Sequence, residues 1–252
     1  MVIAKERLKA SGIHLGISLC IAAAAALLVF AVWYPWPYRD VSGGRELFLI
    51  VIAVDVILGP LITLAIFNRT KSRRELTMDL SVVGLLQVAA LAYGLWTVAV
   101  ARPVHLVFEF DRLRVVHAID IPEELLGHTP PGIQPEPWSG PTLLAVRPFR
   151  SADEKLSATL EALTGVQLAA RPDLWQPYAQ ARPRILEAAQ PVEALKRKLP
   201  AQAARVDAAL RQAGLDAAAT LYLPMISRAT AWTAFIDART ADVVGFAPLD
   251  SF

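Results

Sequence analysis

Apolar and polar positions divide this chain in two. Three apolar runs of about twenty residues, Gly12 to Trp33, Leu47 to Phe67 and Leu80 to Val100, occupy most of the first hundred positions. At roughly 1.5 Å per residue, each can cross a hydrocarbon core of about 30 Å, so three transmembrane helices are predicted. After Arg102-Pro103 the period changes. Val104, Leu106, Phe108 and Phe110 alternate with His105, Val107 and Glu109, the pattern of a half-buried strand. Asp111-Arg112 then turns the chain into a second strand, Leu113 to Ala118.

Residues 119–141 hold six prolines and three glycines and read as a loop. Thr142 to Arg147 is a short third strand. Ser151 and Glu154 have the spacing of a capping box, which opens a helix over 152–163 that Gly165 closes. Further helices are expected from Arg184 to Lys198 and from Ala201 to Ala213, the latter ended by Gly214. Strand patterns return at Leu221 to Ile226, Ala231 to Asp237 and Asp242 to Phe246, with Ala238 to Thr240 joining the last two as a hairpin. The predicted fold class is a membrane α-helical anchor of three transmembrane helices, residues 1–102, followed by a small α+β domain with an antiparallel sheet, residues 103–252.

Charge sets an expected orientation. Lys5, Arg7 and Lys9 precede the first span, only Arg39 and Arg45 lie in the first loop, and Arg69, Lys71, Arg73 and Arg74 crowd the second. Short flanks rich in Lys and Arg resist translocation, so the amino terminus is expected in the cytoplasm and the carboxy-terminal domain in the periplasm. The first run is too long for a cleaved signal peptide and reads as a signal anchor. Its Cys20 is the single cysteine. The carboxy-terminal part is nearly neutral, which excludes electrostatic capture of nucleic acid.

The first loop, Tyr34 to Glu46, opens with aromatics and prolines. Trp33, Tyr34, Trp36 and Tyr38, interleaved with Pro35 and Pro37, are therefore expected as an interfacial belt, the alternative being a partner-binding loop.

Asp55 is the sharpest polar feature, a carboxyl near the middle of an apolar run. Such a group pairs within the bundle or marks a functional path. Counting from the ends of the runs places Tyr93 at the depth of Asp55 as its expected partner, with Gln87 a poorer one and His14 at headgroup level. Gly59-Pro60 follows one turn later and is expected to loosen the helix. Asp55, Gly59, Pro60 and Tyr93 are thus the candidate intramembrane or partner-binding residues, against the plainer reading of Asp55 as a packing residue. Gly12/Gly16 and Ala90/Gly94 are small-residue pairs expected inside the bundle. His105, His117 and His128 have no metal-ligand spacing, and no nucleophile or phosphate-loop motif is present, so no catalytic, metal or cofactor site is expected.

The segments GIHLGIS (Gly12 to Ser18), Trp33 to Pro35, VDVILGPLIT (Val54 to Thr63) with Phe67-Asn68, LLQVAALAYGLWT (Leu85 to Thr97), and Arg102-Pro103 leading to Val107, Phe108, Asp111 and Arg112 resemble the TfpX/TfpZ family of type IV pilin accessory proteins. The likeness covers roughly residues 10–121. It implies a non-enzymatic, multi-pass inner-membrane protein that accompanies a major type IV pilin and the pilus assembly machinery. It carries over no binding residues. The competing reading is a membrane-anchored periplasmic sensor or regulatory subunit.

Overall fold

The structure is a computed structural model that describes residues 2–67, 71–163, 165–228 and 230–252. Asn68 and Arg69, part of the second-loop reading, lie outside the described residues. Two compact units form. One comprises the chain up to Pro35 with Gly44–Ala101; the other comprises Trp36–Gly43 with Arg102–Phe252.

Among the described residues, the first unit holds three helices long and apolar enough to cross a membrane, Lys5–Trp33, Gly44–Ile66 and Arg73–Val100. All three begin earlier than hydropathy suggests. Ser72 caps the third helix, its hydroxyl accepting from the Glu75 amide at 3.2 Å while the Glu75 carboxylate accepts from the Ser72 amide at 2.9 Å. Gly44 starts the second because the chain there presses on the Tyr34 ring: a Cβ would stand 2.4 Å from Tyr34 Cδ1. The Tyr34 hydroxyl donates to the Val98 carbonyl at 3.1 Å. Ala25, Val29, Trp33, Tyr34, Phe48 and Val98 form the core of this unit, and most of the third helix is exposed apolar surface. Gly94 lets the third helix approach the second, since a Cβ there would lie 2.7 Å from the Val51 methyls. Gly12 and Gly16, expected inside the bundle, face open space instead.

The second unit is built on an eight-stranded mixed sheet. The strands are β1 Pro103–Glu109, β2 Arg112–His117, β3 Thr142–Val146, β4 Trp175–Pro177, β5 Gln190–Pro191, β6 Thr220–Ile226, β7 Ala231–Asp237 and β8 Val243–Ala247. They run in the order β4-β3-β1-β2-β6-β7-β8, with β5 on β6. The antiparallel expectation holds for β1/β2 and β6/β7/β8, but β1/β3 and β2/β6 are parallel. Long connections before β3 and β6 make this possible, because only hairpins force antiparallel neighbours.

Strand β1 was expected half-buried, yet all seven of its residues are buried. Leu106 and Phe108 point into a core with Leu113, Leu223 and Ile236, whereas Val104 and Val107 join a second core with Leu144, Trp175 and Ala158. Both faces of the central strands are therefore covered. The β1/β2 turn is Phe110-Asp111, one residue earlier than predicted, with Glu109 opposite Arg112 and Phe110 at φ 59°. The helix expected over 184–198 is broken into Arg182–Ala188 and Val192–Lys198. Pro191 lacks an N–H and holds the preceding residue extended, so β5 forms between them. The β7/β8 hairpin forms as predicted, the Asp237 carboxylate accepting from the Arg239 and Thr240 amides, both at 2.8 Å.

His105 sits in the middle of this sheet with no exposed surface. Its Nε2 lies 2.8 Å from the Pro135 carbonyl and must donate, so Nδ1 accepts from the Thr142 hydroxyl at 2.7 Å. The ring stands edge-on to Trp175 at 4.6 Å. Burial pushes its pKa down to about 4, only partly opposed by the hydrogen bond to Pro135. The unfolded chain binds this proton below pH 6.5 and the folded chain does not until about 4. Stability is therefore lost as the pH falls through that window, by at most roughly 3 kcal/mol. Thermal unfolding of the detergent-solubilised protein between pH 7.5 and 4 should show this loss, and His105→Gln should flatten it; equal slopes for both proteins would refute the assignment.

Candidate functional site

In the first unit the long helices assemble a polar cluster among apolar neighbours. Ser11 and His14 are three residues apart on the first helix, and Asp55, Gly59 and Thr63 follow at four-residue spacing on the second, so each set shares a face. The third helix contributes Gln87.

Pro60 explains the local geometry. It supplies no N–H to the preceding turn and its ring crowds the carbonyl one turn back. The helix responds by widening to a π turn over Val54–Leu58, which contains Asp55. Carbonyls left without a helical donor must be satisfied by side chains. Gln87 Nε2 lies 3.5 Å from the carbonyl of Asp55, five residues before Pro60 and so the one a π-type bond from the missing N–H would have met. The Ser11 hydroxyl donates to the Pro60 carbonyl at 2.9 Å, a further tie between the first and second helices at a carbonyl that the proline does not orphan. His14 Nδ1 and Thr63 Oγ1 are 2.6 Å apart. Gly59 makes the convergence possible. A Cβ on it would fall 1.9 Å from Gln87 Nε2 and 3.2 Å from His14 Nε2.

The Asp55 side chain is buried, and its Oδ1 has no hydrogen-bond partner among the described residues. Its surroundings correct the expected pairing. Tyr93 is exposed and packs beside Trp96, with ring centroids 5.8 Å apart, so it does not reach Asp55. The second helix begins at Gly44 rather than Leu47, so Asp55 stands further along it than the count from the apolar run implied, opposite Gln87. His14 joins the cluster through Thr63. Ser11, His14, Thr63 and Gln87 were missed as a set, although the shared spacing around Gly59-Pro60 is visible in the sequence.

The belt residues Trp33, Tyr34 and Trp36 also separate. Trp33 and Tyr34 are buried in the core of the first unit, so they are packing residues and not an interfacial display. Trp36 belongs to the second unit, half exposed and edge-on to Phe246 at 5.8 Å. A groove of about 300 Å³ runs between the second and third helices, lined by Val51, Val54, Ala90, Tyr93 and Gly94.

In the second unit the three histidines are dispersed. His105 lies under the sheet, His117 has Nδ1 3.0 Å from Asp120 Oδ2, and His128 lines a cleft of about 530 Å³ with Arg147, Arg150, Trp175 and Gln176. Arg147 in that cleft is engaged by Glu154 through a two-point ion pair at 2.7 and 3.0 Å. That guanidinium and the Arg150 amide hold the Glu154 carboxyl at about 2, well below its ordinary value. The capping box expected at Ser151 is thus half made. Ser151 Oγ accepts from the Glu154 amide at 3.1 Å, but Glu154 turns back to Arg147 and Arg150.

These features define three long apolar helices, each of membrane-spanning length, followed by one mixed-sheet globular domain. The chain belongs to the fimbrial assembly protein family, being 36% identical over 246 residues to the fimbrial assembly protein of serogroup I from Dichelobacter nodosus, an alignment covering 97% of this chain and 95% of that protein. The serogroup E1 protein of the same organism is 35% identical over the same shares. The protein of serogroups C1 and C2 is 42% identical over 113 residues, 45% of this chain and 86% of that protein. The family model described as fimbrial assembly protein FimB matches residues 3–43. No solved structure matches significantly.

The cluster geometry makes a specific prediction. In Gly59→Ala, the new methyl displaces the Gln87 amide from the Asp55 carbonyl at a cost of roughly 1 kcal/mol, near the measured range for a polar contact between membrane helices. Once Gln87→Ala has removed the amide, the same change should cost markedly less. Unfolding of the four proteins in mixed micelles measures the coupling, and strict additivity would separate the two residues.

Proposed function

We propose that this protein is a non-enzymatic inner-membrane accessory factor that supports the assembly of a cognate type IV pilin into fimbriae, with its amino terminus in the cytoplasm and its carboxy-terminal domain in the periplasm. The observation that carries this reading is the match to fimbrial assembly proteins along 97% of the chain. The likeness to TfpX/TfpZ accessory proteins in the helical segments narrows it to type IV pilins. Three helices of membrane length and the basic residues flanking the first and third support the placement.

A pilin awaiting assembly presents one apolar helix within the bilayer, and a bundle that handles it needs an accessible face. Asp55 is enclosed by its own bundle, which favours an internal role: the polar cluster fixes how the helices pack. The exposed flank of the third helix, with Tyr93 and Trp96 beside the groove against the second, is the better place for a visiting helix. There, apolar packing and close approach at Gly94 would act without burying a new charge.

Photocrosslinkers placed at Tyr93 and Trp96 in cells should yield a band containing the major pilin, and deletion of the chain should lower surface fimbriae severalfold. Normal fimbriation in the deletion strain, or crosslinks to other proteins only, would overturn the proposal.

A further inference from the structure

The loop between the first two long helices is not a passive connector. Within the second unit, Tyr38–Val41 forms one helical turn, closed by the Ser42 amide donating to the Tyr38 carbonyl at 3.0 Å. That turn is sunk in the main core of the unit. Val41 has no exposed surface and Tyr38 is 8% exposed, in the same cluster as Leu106, Phe108, Leu223 and Ile236. Trp36 and Tyr38 both meet the Phe246 ring edge-on, at 5.8 and 6.1 Å. The Ser42 and Ser227 hydroxyls are 3.0 Å apart. An eight-residue segment thus supplies a polar anchor, an aromatic contact and two core side chains to a sheet whose strands begin at Pro103.

We propose that residues 36–43 are an intramolecular strap that completes the fold of the carboxy-terminal domain, making the folding of that domain conditional on the threading of the first two helices. The physical reason is that core side chains cannot be withdrawn without loss. Removing Val41 and Tyr38 leaves a hole in the core they share with Leu106, Phe108 and Ile236, and a packed interior neither closes such a hole fully nor tolerates water in it. Residues 102–252 alone therefore lack part of their own interior. The threading consequence rests on the reading of the long helices as membrane spans. If they cross a bilayer, the strap is available only when the first two are inserted as a pair with this loop on the domain's side. A chain misthreaded at that step presents an incomplete domain.

The test uses the full-length chain in membranes, with Cys20→Ser, Ser42→Cys and Ser227→Cys and a protease site inserted between the second and third helices. After oxidation with copper phenanthroline and cleavage, the two fragments should stay joined without reductant and separate with it. Hydroxyls 3.0 Å apart place the replacement sulfurs within easy reach of a disulfide. Fragments that separate in both lanes would overturn the strap.

A second measurement reads the dependence of the domain on it. Val41→Asp, or replacement of residues 36–43 by a Gly-Ser linker of equal length, should make residues 102–252 at least tenfold more sensitive to added protease. Arg39→Ala, whose side chain is 39% exposed and pairs with the neighbouring Asp40, should change the rate less than threefold. A domain equally resistant in all of these would overturn the proposed dependence. Reporter fusions that place the loop and the domain on opposite sides of the membrane would refute the threading consequence while leaving the disulfide result intact.

Discussion

Polar backbone atoms inside an apolar bundle must be satisfied by the chain itself, and the architecture of the first unit follows from how Pro60 breaks that rule. Apolar side chains offer no hydrogen bonds, so a carbonyl that loses its helical donor among them has to be met by a neighbouring polar side chain. The π turn at Val54–Leu58 spreads the defect, Gln87 arrives from the third helix at the Asp55 carbonyl, and Gly59 vacates the volume that Gln87 and His14 need. Around the proline, side chains of the first and third helices thus converge on the second. Asp55 is enclosed as a result of that convergence, which is why a carboxyl that reads in isolation as a partner-binding group is better understood as part of the internal packing.

A different constraint governs the second unit. Its central strands are covered on both faces, so their sequences read as near-continuous apolar runs more than as alternation. β1 shows the effect: His105 and Glu109 occupy positions that alternation assigns to solvent, yet both are buried. Each is satisfied within the fold, His105 by Thr142 and Pro135, and Glu109 by Arg114 at 2.8 Å. The imidazole stays neutral because charging it would require water that the two layers of side chains exclude.

Much of this was legible in the sequence because it depends on local pattern. The three long helices, the helix at Ala152–Leu163, the β1/β2 and β7/β8 hairpins and the strand character of β3 and β6 all come from periodicity and turn residues acting over a few positions. What was not legible depends on who meets whom. The parallel pairs β1/β3 and β2/β6 join segments separated by long irregular stretches, and no local signal distinguishes them from antiparallel neighbours. At Pro191 the apolar spacing on either side reads as one continuous helix, whereas the missing N–H and the extended residue before it split the segment in two. The pairing of Asp55 failed by a few residues of helix boundary, since Gly44 to Glu46 are polar or small and read as loop although they are helical.

The aromatic loop shows why composition alone cannot separate two physically different fates. Trp, Tyr and Pro after a membrane-length helix suit the headgroup region, because their rings are apolar at one end and polar at the other. The same amphipathic rings suit the margin of a protein core, where the ring is buried against other side chains and the polar end is held by a hydrogen bond. Tyr34 takes that course through Val98, and Tyr38 through the core beneath Phe246. Deciding between the two needs to know whether an apolar surface elsewhere in the chain lacks a cover. Here it does: the face of the sheet lined by Leu106, Phe108, Leu223 and Ile236 is finished by Tyr38 and Val41 along with Ile185 and Tyr178. A loop of amphipathic residues between two membrane-length helices should therefore be weighed against every uncovered sheet face in the chain before it is assigned to the lipid.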